Sequence, residues 1–390
     1  MKITQVDVMK LHTGEHFTPI VCRIYTDEGI YGDGEAALAY GFSRYAAFGA
    51  IKDFGQLILG KNPLENEVIW DDLFTSTVWA INGGPVTYAA MSAIDCALWD
   101  IRGKYFGVPV YTLLGGKRRD KLRTYASQLQ YGWSSRYEAM ATAEDYANVA
   151  KKAVAEGYDA IKVDFLTFDR DGRPFTAHEK KGLRPHYHVS LVEERAAAVR
   201  EAIGPDVDII MECHSVTDTN SAIQLANACE KYRIFALEEP SIATPKITRF
   251  IKDNVNMPIA TGEHIYGRWQ FAPYFENGSV QLMQPDIGTC GGITEAKKIC
   301  DMAHTYDVDV QVHACGSPLS TVASLQLECV IPNFAIHEHH RVGLTDYMKR
   351  LCMYDYQPVD GKFSIPDLPG MGNELSDYAL ANCDKVTLKL

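Results

Sequence analysis

The chain has no apolar run long enough to span a bilayer, no cluster of lysines and arginines, and no pair of cysteines at CxxC spacing. Each absence removes a class of function. A membrane-spanning helix needs about 20 consecutive apolar residues, so contact with a membrane is not expected. The opening Met1-Lys2-Ile3-Thr4-Gln5-Val6-Asp7-Val8 alternates like a strand and lacks the apolar core and cleavage site of a signal peptide. A cytoplasmic location is expected. The formal net charge of -12 argues against a nucleic-acid groove. The ten cysteines are scattered along the chain, which fits reduced, buried thiols and not a disulfide scaffold or a zinc cluster. A glycine-rich phosphate fingerprint after the first strand is also missing, so a doubly wound nucleotide-binding sheet ranks below a barrel.

What is present is an ordinary globular composition, 46% hydrophobic and 23% charged over 390 residues. That length suits a (β/α)-barrel with a smaller partner domain. Residues 1–120 read as an α+β unit, with strands at 2–12 and 19–26, a turn at Asp27-Glu28-Gly29, and helices near 43–58, 64–76 and 85–105. From Thr124 onward strands and helices alternate strictly. The expected strands are 123–129, 158–165, 207–214, 234–239, 258–263, 280–286, 308–314 and 334–338. The intervening helices are 143–156, 192–203, 220–232, 245–254, 268–276, 293–306 and 318–329, with Thr244-Pro245 as a capped start. This predicts an α/β fold with a barrel over 121–365, closest to a (β/α)7β arrangement. The tail, 366–390, ends in an alternating strand, Lys385 to Leu390, that is expected to return to the N-terminal unit. The long connection from Phe165 to Val192 follows a strand and belongs on the catalytic face of such a barrel.

The chemistry lies in a series. Glu212, Glu238, Glu263, Asp286, His313 and Glu338 stand at the ends of successive strands, in steps of 26, 25, 23, 27 and 25 residues. One βα unit has that length, so each strand delivers one polar side chain to the same end of the barrel. Three neighbouring carboxylates, Glu212, Glu238 and Glu263, repel one another unless a cation joins them, and all-oxygen ligation suits Mg²⁺. Any one of them alone reads equally well as a helix cap. Asp286 and His313 share adjacent strand ends, where a carboxylate fixes the imidazole tautomer and makes His313 a candidate general base. His214, two residues past Glu212, is expected on the same face as a candidate general acid. Lys162 and Asp164 share a face. Lys162 is expected to bring positive charge to a substrate carboxylate or a metal ligand, and Asp164 to bind a substrate hydroxyl. His264 and Arg268, just past Glu263, are candidate substrate contacts, although Arg268 fits a salt bridge on its own helix as well.

These residues sit in a longer pattern: Thr26 to Gly32, Ser92-Ala93-Ile94-Asp95-Cys96-Ala97-Leu98-Trp99-Asp100, Leu113-Leu114-Gly115-Gly116, Leu237-Glu238-Glu239-Pro240, Gly262-Glu263, Gln284-Pro285-Asp286 with Gly291-Gly292, and Leu368-Pro369-Gly370-Met371-Gly372. In this order they resemble the enolase superfamily in its mandelate-racemase-like branch, over nearly the whole chain. The resemblance implies a capping domain built from both chain ends and a Mg²⁺ held by Glu212, Glu238 and Glu263, with Glu238 and not Glu239 as the ligand. It implies an Asp286–His313 base dyad and Glu338 as hydrogen-bond partner of an enolate oxygen. Such sites pair a Lys or His base with Mg²⁺ that stabilises an ene-diolate. Two positions depart from the branch. Asp164 replaces the second lysine of its racemases, and Glu212 replaces the more usual aspartate ligand. His214 resembles the acid of galactonate- and mannonate-type dehydratases.

The expectation is therefore a Mg²⁺-dependent hydro-lyase that removes the proton next to the carboxylate of an aldonate and eliminates the 3-hydroxyl, giving a 2-keto-3-deoxy acid. An epimerase or cycloisomerase, or a weakly active metabolite-sensing homologue, are the alternatives. Specificity is expected from loops at 14–20, 79–82 and 166–191, and a symmetric homo-oligomer is the family expectation.

Overall fold

The computed structural model describes residues 1–38, 41 and 43–390. Two sheets organise them. The first is antiparallel and begins with β1 (Ile3–Leu11), β2 (Ile20–Thr26) and β3 (Tyr31–Ala36), paired in chain order. Helices α1 (Arg44–Ile58), α2 (Asn66–Ser76) and α3 (Pro85–Phe106) pack on it, and a short α4 (Val110–Leu113) follows. Pro85 opens α3 and Gly107, at φ 67°, ends it in the left-handed region that costs glycine nothing. Helix α3 is buried on most sides because β3 lies directly on its backbone. A Cβ at Gly34 would come within 1.9 Å of the Ala93 carbonyl oxygen, so only glycine permits this contact.

The second sheet is the barrel. Its strands and helices alternate: β4 (Lys121–Ser127), α5 (Ala143–Ala155), β5 (Ala160–Val163), α6 (His186–Ile203), β6 (Asp208–Glu212), α7 (Thr219–Cys229), β7 (Ala236–Glu238), α8 (Pro245–Lys252), β8 (Ile259–Thr261), α9 (Arg268–Glu276), β9 (Leu282–Met283), α10 (Gly292–Thr305), β10 (Asp309–Val310), α11 (Pro318–Glu328) and β11 (His337–His340). Each strand from β4 to β10 pairs in parallel with the next, and β11 pairs in parallel with β4. The last gap closes where Val310 pairs with Phe334. Val310 N donates to Asn333 O at 2.7 Å and Ala335 N donates to Val310 O at 2.8 Å. Eight parallel strands with seven helices between them make the expected (β/α)7β barrel.

The chain then runs through α12 (Asp346–Lys349), β12 (Lys362–Ser364), which pairs antiparallel with β4, and α13 (Asp377–Ala381). It ends in β13 (Cys383–Lys389), antiparallel to β1. The alternating tail thus returns to the N-terminal sheet, and both chain ends build the cap. Trp70 Nε1 ties that cap to the barrel by donating to Gly291 O at 2.8 Å. All ten cysteines are free thiols, nine of them buried. Among the described residues no helix is long and apolar enough to cross a membrane.

Three local expectations change. Strands β9 and β10 are two residues long, not seven, because the regular ladder breaks after Met283 and Val310 and the two segments pair again only in the single bridge between Asp286 and His313. Helix α6 begins at His186, directly after Pro185, and not at 192. Thr244 precedes α8 but its Oγ1 makes no hydrogen bond, so Pro245 and not a cap hydroxyl marks that start. The long connection before α6 is pinned from below. Buried Arg195 donates to the carbonyls of Phe165 and Phe168, both at 2.7 Å, and of Asp169 at 3.2 Å.

Candidate active site

Three carboxylates converge at the C-terminal ends of neighbouring strands. Glu212 ends β6, Glu238 ends β7, and Glu263 lies two residues past β8. One oxygen from each lies within 4.8 Å of the others. Glu212 Oε1 accepts from the amides of Cys213 (2.9 Å) and His214 (2.6 Å), while its buried Oε2 makes no hydrogen bond. Burial and the neighbouring Glu212 push the Glu238 carboxyl well above the usual range. A trio of hard oxygens with an orphaned atom fits a divalent cation. The adjacent Glu239 turns away at φ 44° and is consumed by structure. It accepts from Thr261 Oγ1 at 2.6 Å, Gly262 N at 2.9 Å and Ser215 Oγ, and it pairs with His264 Nδ1 at 3.2 Å. Burial opposes charge on Glu239, but these bonds hold its carboxyl down to about 2. Of the two successive glutamates, only Glu238 groups with Glu212 and Glu263, although its Oε2 also accepts from Gln284 Nε2 at 2.7 Å.

Lys162, buried in β5, ties two of the three, Glu212 and Glu238, to Glu338. Its Nζ donates to Glu238 Oε1 and lies 2.9 Å from Glu338 Oε1 and 3.3 Å from Glu212 Oε2. Of the two partners expected for Lys162, the structure supplies the candidate metal-ligand carboxylates, Glu212 and Glu238. Glu338 accepts from Ser127 Oγ at 2.6 Å and from Ala314 N at 3.0 Å as well. Burial disfavours its charge, yet Lys162 and His313 hold its carboxyl well below the usual range. In this state Glu338 only accepts, and it must take up a proton before it can donate to an enolate oxygen.

Asp286 and His313 come together as expected, with Asp286 Oδ2 2.7 Å from His313 Nδ1. The free nitrogen, Nε2, points toward the acids, 3.3 Å from Glu263 Oε2 and 3.9 Å from Glu338 Oε2. Burial works against a charged imidazole here, but Glu263, the Asp286 bond and Glu338 push His313 up to about 10. His214 faces the same space, but not by strand alternation. Strand β6 has already ended, and the turn is made by His214 and Ser215 at φ 50° and 55°. Its Nδ1 lies 3.4 Å from Asp164 Oδ2, which leaves Nε2 toward the pocket, 3.1 Å from the Gln128 side-chain nitrogen. Burial lowers this imidazole, but Glu212 and Asp164 more than compensate and raise it to about 9.

Asp164 does not stand open to a hydroxyl. Its Oδ1 accepts from Leu166 N at 2.7 Å, and its Oδ2 meets both His214 and Lys180 Nζ, the latter at 3.0 Å. Its neighbours outweigh burial and hold it ionised, well below the usual range. Arg268 is placed elsewhere too. It opens α9 and turns outward to fork onto buried Glu295, with Nε 2.9 Å from Oε1, over the rings of Trp70 and Trp269. His264 sits at the rim on Glu239 and does not line the cavity.

That cavity, of about 490 Å³, is walled by Glu263, His313 and His214, by Gln128 and Tyr131 after β4, and by His16 and Phe17 from the cap. Its wall continues through Tyr137, Cys315, His340 and Arg341. His16 and Phe17 fall in one of the loops expected to set specificity, whereas residues 79–82 and 166–191 do not reach the wall. His340 shares the face of Glu338 by strand period, a signal legible in the sequence. Burial lowers its imidazole to about 3, and Nδ1 accepts from Val342 N at 3.1 Å, so the neutral ring carries its proton on Nε2. Lys180 had no such signal, because it reaches Asp164 through the fold of a long loop.

The comparisons agree with this architecture. Residues 3–115 match the mandelate racemase / muconate lactonizing enzyme N-terminal domain, and residues 145–379 match the enolase C-terminal domain-like family. The chain is 31% identical over 372 residues to the D-xylonate dehydratase of Haloferax volcanii, covering 94% of this chain and 85% of that protein. It is 31% identical over 390 residues to the D-galactonate dehydratase of Pectobacterium atrosepticum, covering 97% and 93%. A crystal structure of an enolase-superfamily member from Salmonella Typhimurium superposes with a TM-score of 0.97 at 48% identity, over 100% of both chains. With both halves matched in order and the acids gathered at the barrel mouth, this chain belongs to the mandelate racemase / muconate lactonizing enzyme family of the enolase superfamily.

Proposed function

We propose that the protein is a Mg²⁺-dependent sugar-acid dehydratase that converts an aldonate-type polyhydroxy acid to its 2-keto-3-deoxy acid. The observation that carries this reading is the placement of two imidazoles on one cavity beside the acidic trio, each oriented through Nδ1 by its own carboxylate: His313 by Asp286 at 2.7 Å and His214 by Asp164 at 3.4 Å. A racemase needs two bases across one carbon, whereas an elimination needs a base at C2 and an acid at C3. Asp164, where a second lysine would serve racemisation, instead orients an acid.

Glu212, Glu238 and Glu263 would hold Mg²⁺, which when bound neutralises charge developing on the substrate carboxylate. His313, neutral once the charge of the acids that raise it is compensated, takes the proton from C2 at Nε2, and the C–H electrons move into the carboxylate to give an ene-diolate. Asp286 stabilises the imidazolium that forms. Glu338, protonated from solvent before the substrate binds, donates a hydrogen bond to the ene-diolate oxygen and keeps its proton. His214 Nε2 then gives a proton to the 3-hydroxyl as the C3–O bond breaks, water leaves, and the enol tautomerises to the 2-keto acid. Lys162 keeps the carboxylates from repelling one another out of register. The named dehydratase relatives support this reaction class. The test is to incubate the protein and Mg²⁺ with a library of aldonic and aldaric acids and trap 2-keto acids with semicarbazide. Formation of such a product supports the reading. Proton exchange at C2 in D₂O without loss of water would replace it with epimerisation.

A further inference from the structure

Beyond the reacting carbons the cavity ends on a guanidinium. Arg341 follows β11 and lines the same wall as His214 and His313. It also lines a second, larger cavity of about 880 Å³ that shares His16, Phe17 and Tyr137 with the first, so the two lie side by side. The outer cavity carries Arg136 and Arg350 as well, against Glu15 and Asp346. Among the described residues no carboxylate lies within ion-pair distance of Arg136, Arg341 or Arg350. Arg341 is the one that reaches the reaction chamber. Its guanidinium sits 6.0 Å from the centroid of the Tyr137 ring, and its Nε is buried without a hydrogen-bond partner.

A partly desolvated guanidinium with an unsatisfied donor is costly to keep. Arg23 answers that cost with Asp33 and Arg268 with Glu295, while Arg44, Arg102 and Arg195 also leave a buried Nε unpaired but line neither cavity. Arg341 leaves it unanswered and faces a cavity. A planar donor fork of this kind matches a carboxylate in two parallel bonds. Lys162 does not line the cavity and is already shared by Glu212, Glu238 and Glu338, so it is not the anchor for a second anion.

We propose that Arg341 binds a second carboxylate at the far end of the substrate, so that the preferred acid is an aldarate, a sugar acid oxidised at both termini. This rests on the dehydratase reading and moves its preferred substrate from an aldonate to the corresponding diacid. One carboxylate faces the acidic trio, C2 and C3 lie between His313 and His214, and the chain ends on Arg341 with Tyr137 beneath it. The flanking Arg136 and Arg350 draw dianions toward the mouth.

The test uses the full-length Mg²⁺-loaded enzyme and matched pairs of substrates: aldonates across the configurations at C2 and C3, D-galactonate among them, and the diacid made from each by oxidising its terminal CH₂OH. The expected result is that the best substrate is a diacid, with kcat/KM at least tenfold above its own aldonate. R341M should then shift the diacid-to-aldonate ratio of kcat/KM by at least tenfold toward the aldonate, mainly through KM of the diacid. R341K, which keeps the charge but loses the fork, should recover part of the shift, and it guards against misreading a folding defect. An aldonate as best substrate, or equal losses on both members of a pair in R341M, overturns the proposal and leaves the dehydratase reading standing. No 2-keto acid from any pair defeats the dehydratase reading itself, and this proposal with it.

Discussion

Lys180 Nζ lies 3.0 Å from Asp164 Oδ2, and that same oxygen lies 3.4 Å from His214 Nδ1. A lysine from the long loop after β5 thus secures the carboxylate that orients the candidate acid. Both members of the Lys180–Asp164 pair are buried. Removing one partner of a buried ion pair leaves the other uncompensated, at a cost of about 3–5 kcal/mol. K180M is therefore expected to lower stability by roughly that amount and to lower kcat at least tenfold, with a smaller effect on KM. Urea unfolding and steady-state kinetics check both. A variant with wild-type kcat would show that the loop only packs there.

The base assignment predicts a larger effect. Positioned acid–base groups contribute about 10²–10⁴-fold. H313N keeps a polar side chain beside Asp286 but no titrating nitrogen, so dehydration should fall by a factor of about 10³. Exchange of the C2 proton in D₂O should fall with it, because both need the same abstraction. H214N should differ: elimination falls while C2 exchange persists. Parallel losses of exchange in both variants would rule out this division of labour.

Much of this site was legible from spacing alone. One polar residue per βα unit, from Glu212 to Glu338, is a pattern that survives any error in strand boundaries, and the structure gathers all six at one end of the barrel. His214 was placed on the right face by the wrong cause. Alternation along a strand was expected, whereas a left-handed turn at residues 214 and 215 swings it in. Arg268 shows what spacing cannot carry. It lies just past Glu263, yet its direction is decided by Glu295, a buried acid on the next barrel helix. Lys180 and Arg341 depend likewise on loop conformations, which hydrophobic periodicity does not encode.

The neighbours Glu238 and Glu239 offer a sharp contrast. Both glutamates are hydrogen-bonded, Glu238 by Lys162 and Gln284 and Glu239 by Thr261, Gly262, Ser215 and His264, but only Glu238 brings an oxygen close to Glu212 and Glu263. E238Q should weaken Mg²⁺ binding by at least tenfold more than E239Q does, measured by calorimetry on protein first stripped with a chelator. E239Q should instead act on stability, since it disturbs the bonds that hold the Thr261–His264 turn. Equal losses of Mg²⁺ affinity would return both glutamates to candidacy. Stripping the metal should also lower the melting temperature of the wild type, and added Mg²⁺ should restore it.

Asp95 gives a prediction about pH that does not involve the acidic trio. It stands in α3 and clasps the start of α10, with Oδ2 accepting from Thr294 N at 2.9 Å and Oδ1 from Thr294 Oγ1 at 2.5 Å. Burial pushes its carboxyl up to about 7, against the two Thr294 bonds that favour its charge. The unfolded chain releases this proton near pH 4, so between roughly pH 4 and 7 the native protein binds more protons than the unfolded one. The stability that Asp95 contributes is therefore complete below pH 4 and is lost as pH rises through 7. In D95N the amide carries no such titration, while its oxygen still accepts from Thr294 N and its nitrogen can donate to Thr294 Oγ1. The difference in unfolding free energy, variant minus wild type, should accordingly grow in favour of the variant from pH 5 to pH 7.5. A difference that stays flat across that range would mean Asp95 is already ionised at pH 5 in the folded protein, with the α3–α10 contact able to hold a buried charge.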